Sequence, residues 1–214
     1  MPRRTKLDAL ATRCKLLDTA EHLFYLKGVS GTSLQDIALH AGTTRGAIYW
    51  HFKDKAELFN TMMERVTLPM EAAFGIEDTG LKKDGDSSIN SVERIRTATV
   101  NALNQVVNNA QTRRVFEIAT HQVEYTNELQ EVRIRHLVVR NKFTKRFEQV
   151  IEIASLQMNL KLLVPVAIAA QGYYALIDGL IQNWLLDPQA FNLLEVGKSA
   201  MNVYLGGLGF LPHL

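Results

Sequence analysis

Hydrophobic residues along most of the 214-residue chain recur every three or four positions, which is the spacing of a helix with one buried face. The first such segment begins near Leu16 and ends at Gly28, a residue suited to the left-handed conformation that closes many helices. No run alternates between apolar and polar residues as a half-buried strand does. The pattern predicts an all-α fold of about nine helices.

Two very short helices follow, separated by a glycine. Ser33 and Asp36 have the spacing of a capping box at the start of the first, and Gly42 ends it. Thr44 can cap the second, which runs to Phe52. This arrangement predicts a helix-turn-helix, in which the first helix braces the second so that the second can enter the major groove of DNA.

The middle of the chain changes character. Asp54 and Glu57 form a further capping pattern that opens a fourth helix, and Pro69 is expected to kink or end it. Residues 75–88 are rich in Gly, Asp, Ser and Lys, which predicts a mobile connection. Longer apolar helices follow and predict a bundle.

We therefore expect two domains. Residues 1–55 form a helix-turn-helix DNA-binding domain, and residues 56–214 form a helical domain for ligand binding and dimerisation. The charge agrees with this division, since residues 1–55 hold nine Lys or Arg against five Asp or Glu, whereas the whole chain has a net charge of only +2. A basic end on a near-neutral body favours nucleic-acid binding by that end.

Composition also narrows the cellular setting. The single cysteine, Cys14, excludes an internal disulfide and fits a reducing cytosol. No secretory signal is recognisable, and the longest apolar stretches are too short and too polar to span a bilayer. We expect a cytoplasmic protein with no membrane partner.

The second short helix carries the candidate DNA-reading side chains. Gly46 and Ala47 keep its leading edge slim, and Arg45 is the best candidate for a bidentate contact to guanine. Thr44 or Ala47 can touch a thymine methyl group, and the polar and basic residues around them are placed for phosphates. The predicted DNA-contacting residues are Arg3, Thr32, Ser33, Thr43, Thr44, Arg45, Gly46, Ala47, Tyr49, Trp50, His51, Lys53 and Lys55.

These residues also carry a family resemblance. The segments 32–38 (TSLQDIA) and 44–58 (TRGAIYWHFKDKAEL) resemble the signature of the tetracycline-repressor (TetR/AcrR) family. The opening residues 3–6 (RRTK) and the phrase GAIYWHF are similar to the AcrR/TtgR-type regulators of multidrug efflux pumps in particular. Two departures are Thr43, where relatives often have valine, and Pro69, inside a helix that usually runs unbroken.

The resemblance implies a repressor with no cofactor that a small molecule bound in the C-terminal bundle releases from its operator. Three pairs of residues have helical spacing suited to an apolar ligand wall: Phe116 with Thr120, Phe143 with Phe147, and Tyr174 with Ile177. The same residues could equally form plain core. Positions matched through the resemblance add Met70, Phe74, Leu103, Ala119, Asp178 and Gln182.

A repressor of this type has to dimerise, because one reading head covers too few base pairs of a pseudo-palindromic operator. The last two predicted helices hold more apolar surface than one bundle face requires. The expected interface residues are Tyr173, Leu176, Leu180, Trp184, Val196, Ala200, Val203 and Tyr204.

Two other classes of protein compete with this interpretation. A helical metal enzyme is one, since Glu117 and His121 are spaced to share a metal, but the paired Glu-x-x-His motifs of di-iron bundles are missing from the sequence. An architectural DNA-binding protein is the other, and it leaves the apolar bundle without a use. Within the repressor class, the regulated operon could be catabolic or quorum-related instead of encoding a pump.

Overall fold

The computed structural model describes residues 6–75 and 89–210, and its regular structure there is helical throughout. This confirms the all-α prediction, and no described helix is long and apolar enough to cross a membrane. Residues 76–88 of the connection predicted at 75–88 lie outside the described residues, as does the candidate Arg3. A short 3-10 turn, Asn127–Leu129, precedes the seventh helix. The helices are α1 Lys6–Lys27, α2 Leu34–His40, α3 Arg45–His51, α4 Lys55–Ala73, α5 Ile89–Asn108, α6 Ala110–His121, α7 Gln130–Gln157, α8 Val166–Leu186 and α9 Leu193–Gly207.

The predicted helix ends in the N-terminal region are confirmed. Gly28 and Gly42 adopt the left-handed conformation, with φ of 74° and 62°. Ser33 and Asp36 form the reciprocal capping box at the start of α2, and the Thr44 hydroxyl accepts the Ala47 N–H at the start of α3. These local bonds fix the short turn between α2 and α3.

The expectation that Pro69 ends the fourth helix is wrong. At the start of α4 the Asp54 carboxylate accepts the Glu57 N–H as predicted, whereas the Glu57 carboxylate accepts the Lys53 N–H in place of that of Asp54. The helix then continues through Pro69 to Ala73. Proline removes one backbone hydrogen bond, but Met70 and Glu71 in the following turn are buried, and the Phe74 N–H donates to the Met70 carbonyl. Packing of this turn therefore outweighs the local cost of the proline.

The chain forms two compact units that do not follow the predicted boundary between residues 55 and 56. The first, which we call the head, holds the described residues up to Val66 together with Arg114–Leu137. The second, the body, holds the described residues of Thr67–Arg113 and Val138–Leu214. The head thus takes in most of α6 and the first turns of α7, well beyond the helix-turn-helix.

The head has its own apolar core. Leu16, Phe24 and Ile48 from the first and third helices are fully buried in it. Val115 and Ile118 of α6 belong to the same cluster. Ile48 anchors α3 in this core, and Arg45, Tyr49 and Trp50 of the same helix are exposed.

The body has a second core that includes the C-terminal end of the described chain. Phe210 is buried there, and its carbonyl accepts a 2.7 Å hydrogen bond from the buried Arg96 guanidinium, which also bonds to Asn202. Tyr204 of α9 donates to the Ala169 carbonyl. A side chain at position 172 would collide with the Tyr204 hydroxyl, so this contact requires Gly172. These contacts fix α9 against α5 and α8.

Candidate nucleic-acid interface and ligand site

The outward face of α3 is rich in exposed aromatic and polar groups. The side chain of Trp50 is 73% exposed and that of Tyr49 is 45% exposed, whereas the preceding residue of the same helix, Ile48, is fully buried. Thr44, Arg45 and Gly46 at the leading end are also exposed. Large aromatic side chains are rarely left uncovered without a partner, and flanking donors suit an anionic one. We call this surface, formed by residues 43–51, the reading surface.

Arg45 is held from two sides. The Gln35 amide, oriented with its oxygen towards α3, accepts from Arg45 Nε at 3.3 Å and from Nη1 at 3.0 Å. The guanidinium also lies 5.7 Å from the centre of the Tyr49 ring, one helical turn further on. Sequence reasoning missed Gln35, because no local pattern links a residue of α2 to one ten positions later.

Two predicted phosphate contacts at the start of α2 are already engaged. Thr32 is buried, and its hydroxyl donates to the Gly28 carbonyl at 2.9 Å. The Ser33 N–H and hydroxyl both donate to one Asp36 carboxylate oxygen, at 3.0 and 2.5 Å. These bonds from Ser33 lower the pKa of Asp36, which stays anionic. Because a carbonyl takes the Thr32 hydroxyl and a carboxylate takes both donors of Ser33, we leave both residues out of the proposed DNA-contacting set.

The two lysines after α3 differ sharply. Lys53 has an exposed side chain, and its Nζ lies 3.2 Å from Glu131 Oε2, a contact that raises the pKa of Lys53. Lys55 is buried, and its Nζ donates to the carbonyls of Val29 and Thr32. The expectation that Lys55 binds phosphate therefore gives way to a structural role, since its ammonium holds the turn between α1 and α2.

The body contains a line of aromatic side chains. Phe74 makes edge contacts with Phe143 and Phe147, at ring-centre distances of 5.1 and 5.7 Å, and Phe147 continues to Tyr173 at 4.7 Å. Tyr174 is half-buried against the same cluster. This aromatic cluster is apolar and partly open to solvent at its edge, which suits a small apolar ligand.

Comparison with known proteins decides the family. A family model described as bacterial regulatory proteins, tetR family, matches residues 16–62, and one described as the C-terminal region of MAATS-type transcriptional repressors matches residues 90–210. The chain belongs to the TetR family. It is thus a DNA-binding transcriptional regulator and not an enzyme, which removes the metal-enzyme and architectural alternatives.

Individual relatives match across the whole chain. The transcriptional regulator TtgR of Pseudomonas putida is 33% identical over all of this chain and 99% of its own length. NalD, the secondary repressor of the MexAB-OprM multidrug efflux pump in Pseudomonas aeruginosa, is 33% identical, with a TM-score of 0.83 over 95% of this chain and 98% of its own. A SmeT–triclosan complex is 26% identical, with a TM-score of 0.79 over 92% and 90%.

Not all predicted ligand residues of this TetR-family chain lie together. Phe116 and Ala119 belong to the head and pack against its core, and Thr120 lies in the same unit. Leu103 is fully buried in the body, beside Gly197 of α9, so that it fills the contact between α5 and α9. The predicted positions that remain around the aromatic cluster or in its unit are Met70, Phe74, Phe143, Phe147, Tyr174, Ile177, Asp178 and Gln182.

The predicted interface residues divide in a similar way. Tyr173 is a core residue whose hydroxyl bonds to Thr99 at 2.8 Å, and burial raises its pKa. Trp184 is buried, and Tyr204 bonds within the body. Val203 is 76% exposed, and Ala200 is partly exposed.

An apolar groove of about 560 Å³ is lined by Ala175, Leu176, Gly179, Leu180, Asn183, Phe191 and Val196. We call this groove, together with Val203, the α8–α9 face.

Proposed function

We propose that this TetR-family regulator represses a multidrug efflux operon, binds its operator as a homodimer and leaves it when a small apolar or amphiphilic molecule binds. The observation that carries this proposal is the match with NalD, the repressor of such a pump, along nearly the full length of both chains. A repressor that binds an operator acts where the DNA is, so the proposal includes a cytoplasmic location.

The reading surface supports the DNA contacts. Arg45 can donate two N–H groups to a guanine, and the slim positions Gly46 and Ala47 let the helix approach base edges. Thr43 and Thr44 flank this leading end. We assign contacts with the phosphates on either side to Tyr49, Trp50, His51 and Lys53. Each head then reads one half of a pseudo-palindrome.

The aromatic cluster supports ligand binding. Phe74 and Phe143 at its edge are only partly buried, so the contact between them, which contributes about 0.5–1.5 kcal/mol beyond its buried area, can be exchanged for a contact with a ligand ring. Asp178 accepts a 2.5 Å hydrogen bond from Gln182 one turn away, which gives a polar pair in the same unit to orient a ligand group. A relative bound to triclosan supplies a first probe.

The α8–α9 face supports the homodimer. Its lining is apolar apart from Asn183, and Val203 is among the most exposed apolar residues of the described chain. A two-fold partner that presents the same face covers both copies at once, which is the usual way in which such surfaces are satisfied.

The test joins binding to regulation. We expect the purified chain to shift a duplex from its own promoter region, with affinity that falls steeply as salt rises, and we expect triclosan to lower that affinity. In cells that lack the gene, transcripts of an efflux pump should rise. If the transcripts of a catabolic or quorum-related operon rise and the pump genes do not change, the efflux assignment is wrong while DNA binding stands.

A further inference from the structure

A side chain of α2 touches the candidate base-reading residue of α3. One end of the Gln35 amide lies 3.3 Å from Arg45 Nε and 3.0 Å from Nη1, and because both nitrogens are donors, the amide oxygen is assigned to that end as their acceptor. Both residues are exposed, so the pair lies at the surface and not inside the head. A long, exposed arginine would otherwise sample many rotamers, and this contact limits them.

The Tyr49 ring limits Arg45 from another direction. Its centre lies 5.7 Å from the guanidinium carbon, within the range of a cation–π contact. Gln35 and Tyr49 belong to different helices, so together they fix the plane of the guanidinium relative to both parts of the helix-turn-helix. One contact alone would leave it free to rotate.

The donors that remain are the ones a guanine requires. A guanidinium has five N–H groups, and the Gln35 oxygen lies within hydrogen-bond distance of the two nitrogens Nη1 and Nε. Both N–H groups on Nη2 are left, and a fork made of Nη2 and a neighbouring nitrogen matches O6 and N7 of guanine. Gln35 therefore holds Arg45 without using the donors that read the base.

We propose that Gln35 is a specificity-determining residue that positions Arg45 for bidentate reading of one guanine in each half-site. The proposal rests on the proposed function, in which Arg45 contacts a base. Pre-positioning lowers the ordering cost only for the complex in which the fork meets its guanine. Gln35 should thus affect preference at one base pair and leave phosphate contacts unchanged.

The experiment compares Q35M, R45A and the double variant Q35M/R45A. Binding is measured on the operator, on duplexes with each half-site base pair replaced in turn, and over a salt series. Methionine keeps the length and helix propensity of glutamine and removes the acceptor. Q130M is the matched control, at an exposed glutamine of the same unit at the start of α7.

We expect R45A to abolish preference at one base pair and Q35M to reduce preference at that same pair by about fivefold, the effect of one net hydrogen bond. The salt slope and the thermal unfolding of Q35M should match those of wild type and Q130M. In the R45A background, Q35M should change nothing further. A Q35E variant, which keeps the acceptor, should retain the preference and weaken binding to all sequences through repulsion of phosphate.

Three results would overturn the proposal. Q35M could relax a different base pair, which would mean that Gln35 touches DNA itself, as a glutamine does at adenine. It could weaken all sequences equally, which would mean a role in the fold of the head. It could also leave every preference intact. If R45A relaxes no base pair, the assignment of Arg45 in the proposed function fails, and the role of Gln35 falls with it.

Discussion

The reading surface and the α8–α9 face both expose large apolar side chains, yet their surroundings differ. Trp50 and Tyr49 are exposed beside Arg45 and His51, so every aromatic group on the reading surface has a donor or a cation within a turn. On the α8–α9 face, Val196 lines the groove mostly among other apolar groups. The first environment suits a polyanion and the second suits another apolar surface.

The difference shows that exposure alone does not identify a partner. An uncovered aromatic indicates binding of some kind, and the charge and hydrogen-bonding capacity around it indicate the class of molecule. If this is correct, substitutions on the two surfaces should have separable effects, one on oligomeric state and the other on DNA chemistry.

The largest effect is expected on the α8–α9 face. In V196E/V203E, four carboxylates would meet across a two-fold interface, so we expect a folded monomer in sedimentation. Operator affinity should fall by about 100-fold or more, because specific binding by two heads exceeds non-specific binding by about 10³ or more. The control L156E/L163E places two acids at exposed apolar positions elsewhere in the body. If both double variants remain dimeric with full affinity, the face does not carry the dimer.

Next in size is the contrast between Lys55 and Lys53. K55M leaves the carbonyls of Val29 and Thr32 without their buried donor, so the free energy of unfolding should fall by about 1–3 kcal/mol, with no change in the salt slope. K53M should leave stability unchanged and lower the slope of log affinity against log salt by about 0.9 for each head. Chemical denaturation and a salt titration of both variants measure the two quantities. If K55M lowered the salt slope and K53M lowered the stability, Lys55 would be the phosphate contact.

These two lysines also mark what could be predicted from the sequence. Helix ends were predictable because the signals are local: Ser33 with Asp36, Thr44 and Gly42 act within one turn. Around residues 53–55 the sequence shows only two lysines near the start of a helix. It does not indicate that carbonyls of the turn between α1 and α2 bind the ammonium of Lys55. Tertiary contacts of this kind have no signature in spacing.

The ligand site was only partly predictable for a related reason. Periodicity indicates that Phe116 and Phe147 face inward, but it does not say towards which core. Phe116 packs in the head because the chain divides inside α6, between Arg113 and Arg114, and no composition change marks that point. The prediction for Pro69 was wrong for a different reason: the local tendency of proline to end a helix was outweighed by burial of the next turn.

A smaller effect separates the buried aromatic from the exposed ones. T99V removes the partner of the Tyr173 hydroxyl, and Y173F removes the hydroxyl itself, so each should lower the free energy of unfolding by about 1–2 kcal/mol. The double variant should recover most of the loss, because no polar group is then left alone. Dimerisation should not change in sedimentation. If Y173F sedimented as a monomer, Tyr173 would belong to the dimer interface after all.

The same variants carry a pH signature. Burial raises the pKa of Tyr173 above its unfolded value near 10. Its neutral form therefore stabilises the fold fully below that pH, and the contribution is lost as pH rises towards the folded pKa. Denaturation between pH 9 and 11 should show a steeper loss in wild type than in Y173F.

The smallest expected effect concerns Glu131, whose Oε2 lies 3.2 Å from Nζ of Lys53, a lysine just after the reading surface. A phosphate has to compete with this carboxylate for Lys53, so E131Q should raise affinity for all sequences alike. Because both partners of this ion pair are exposed, it contributes little, and the gain should not exceed about fivefold at low salt. The gain should shrink as salt screens the pair, and base preference should stay as in wild type.

Two controls distinguish the pair from the general field. E124Q removes the same charge from another exposed position of the head and should give a smaller gain. In the K53M background, E131Q should give no gain beyond that of E124Q, because the lysine it releases is absent. A gain in K53M/E131Q that equals the gain in E131Q would mean that Glu131 repels DNA directly. No gain in E131Q itself would mean that Lys53 does not reach the phosphates, and the phosphate contacts would then lie within the reading surface itself.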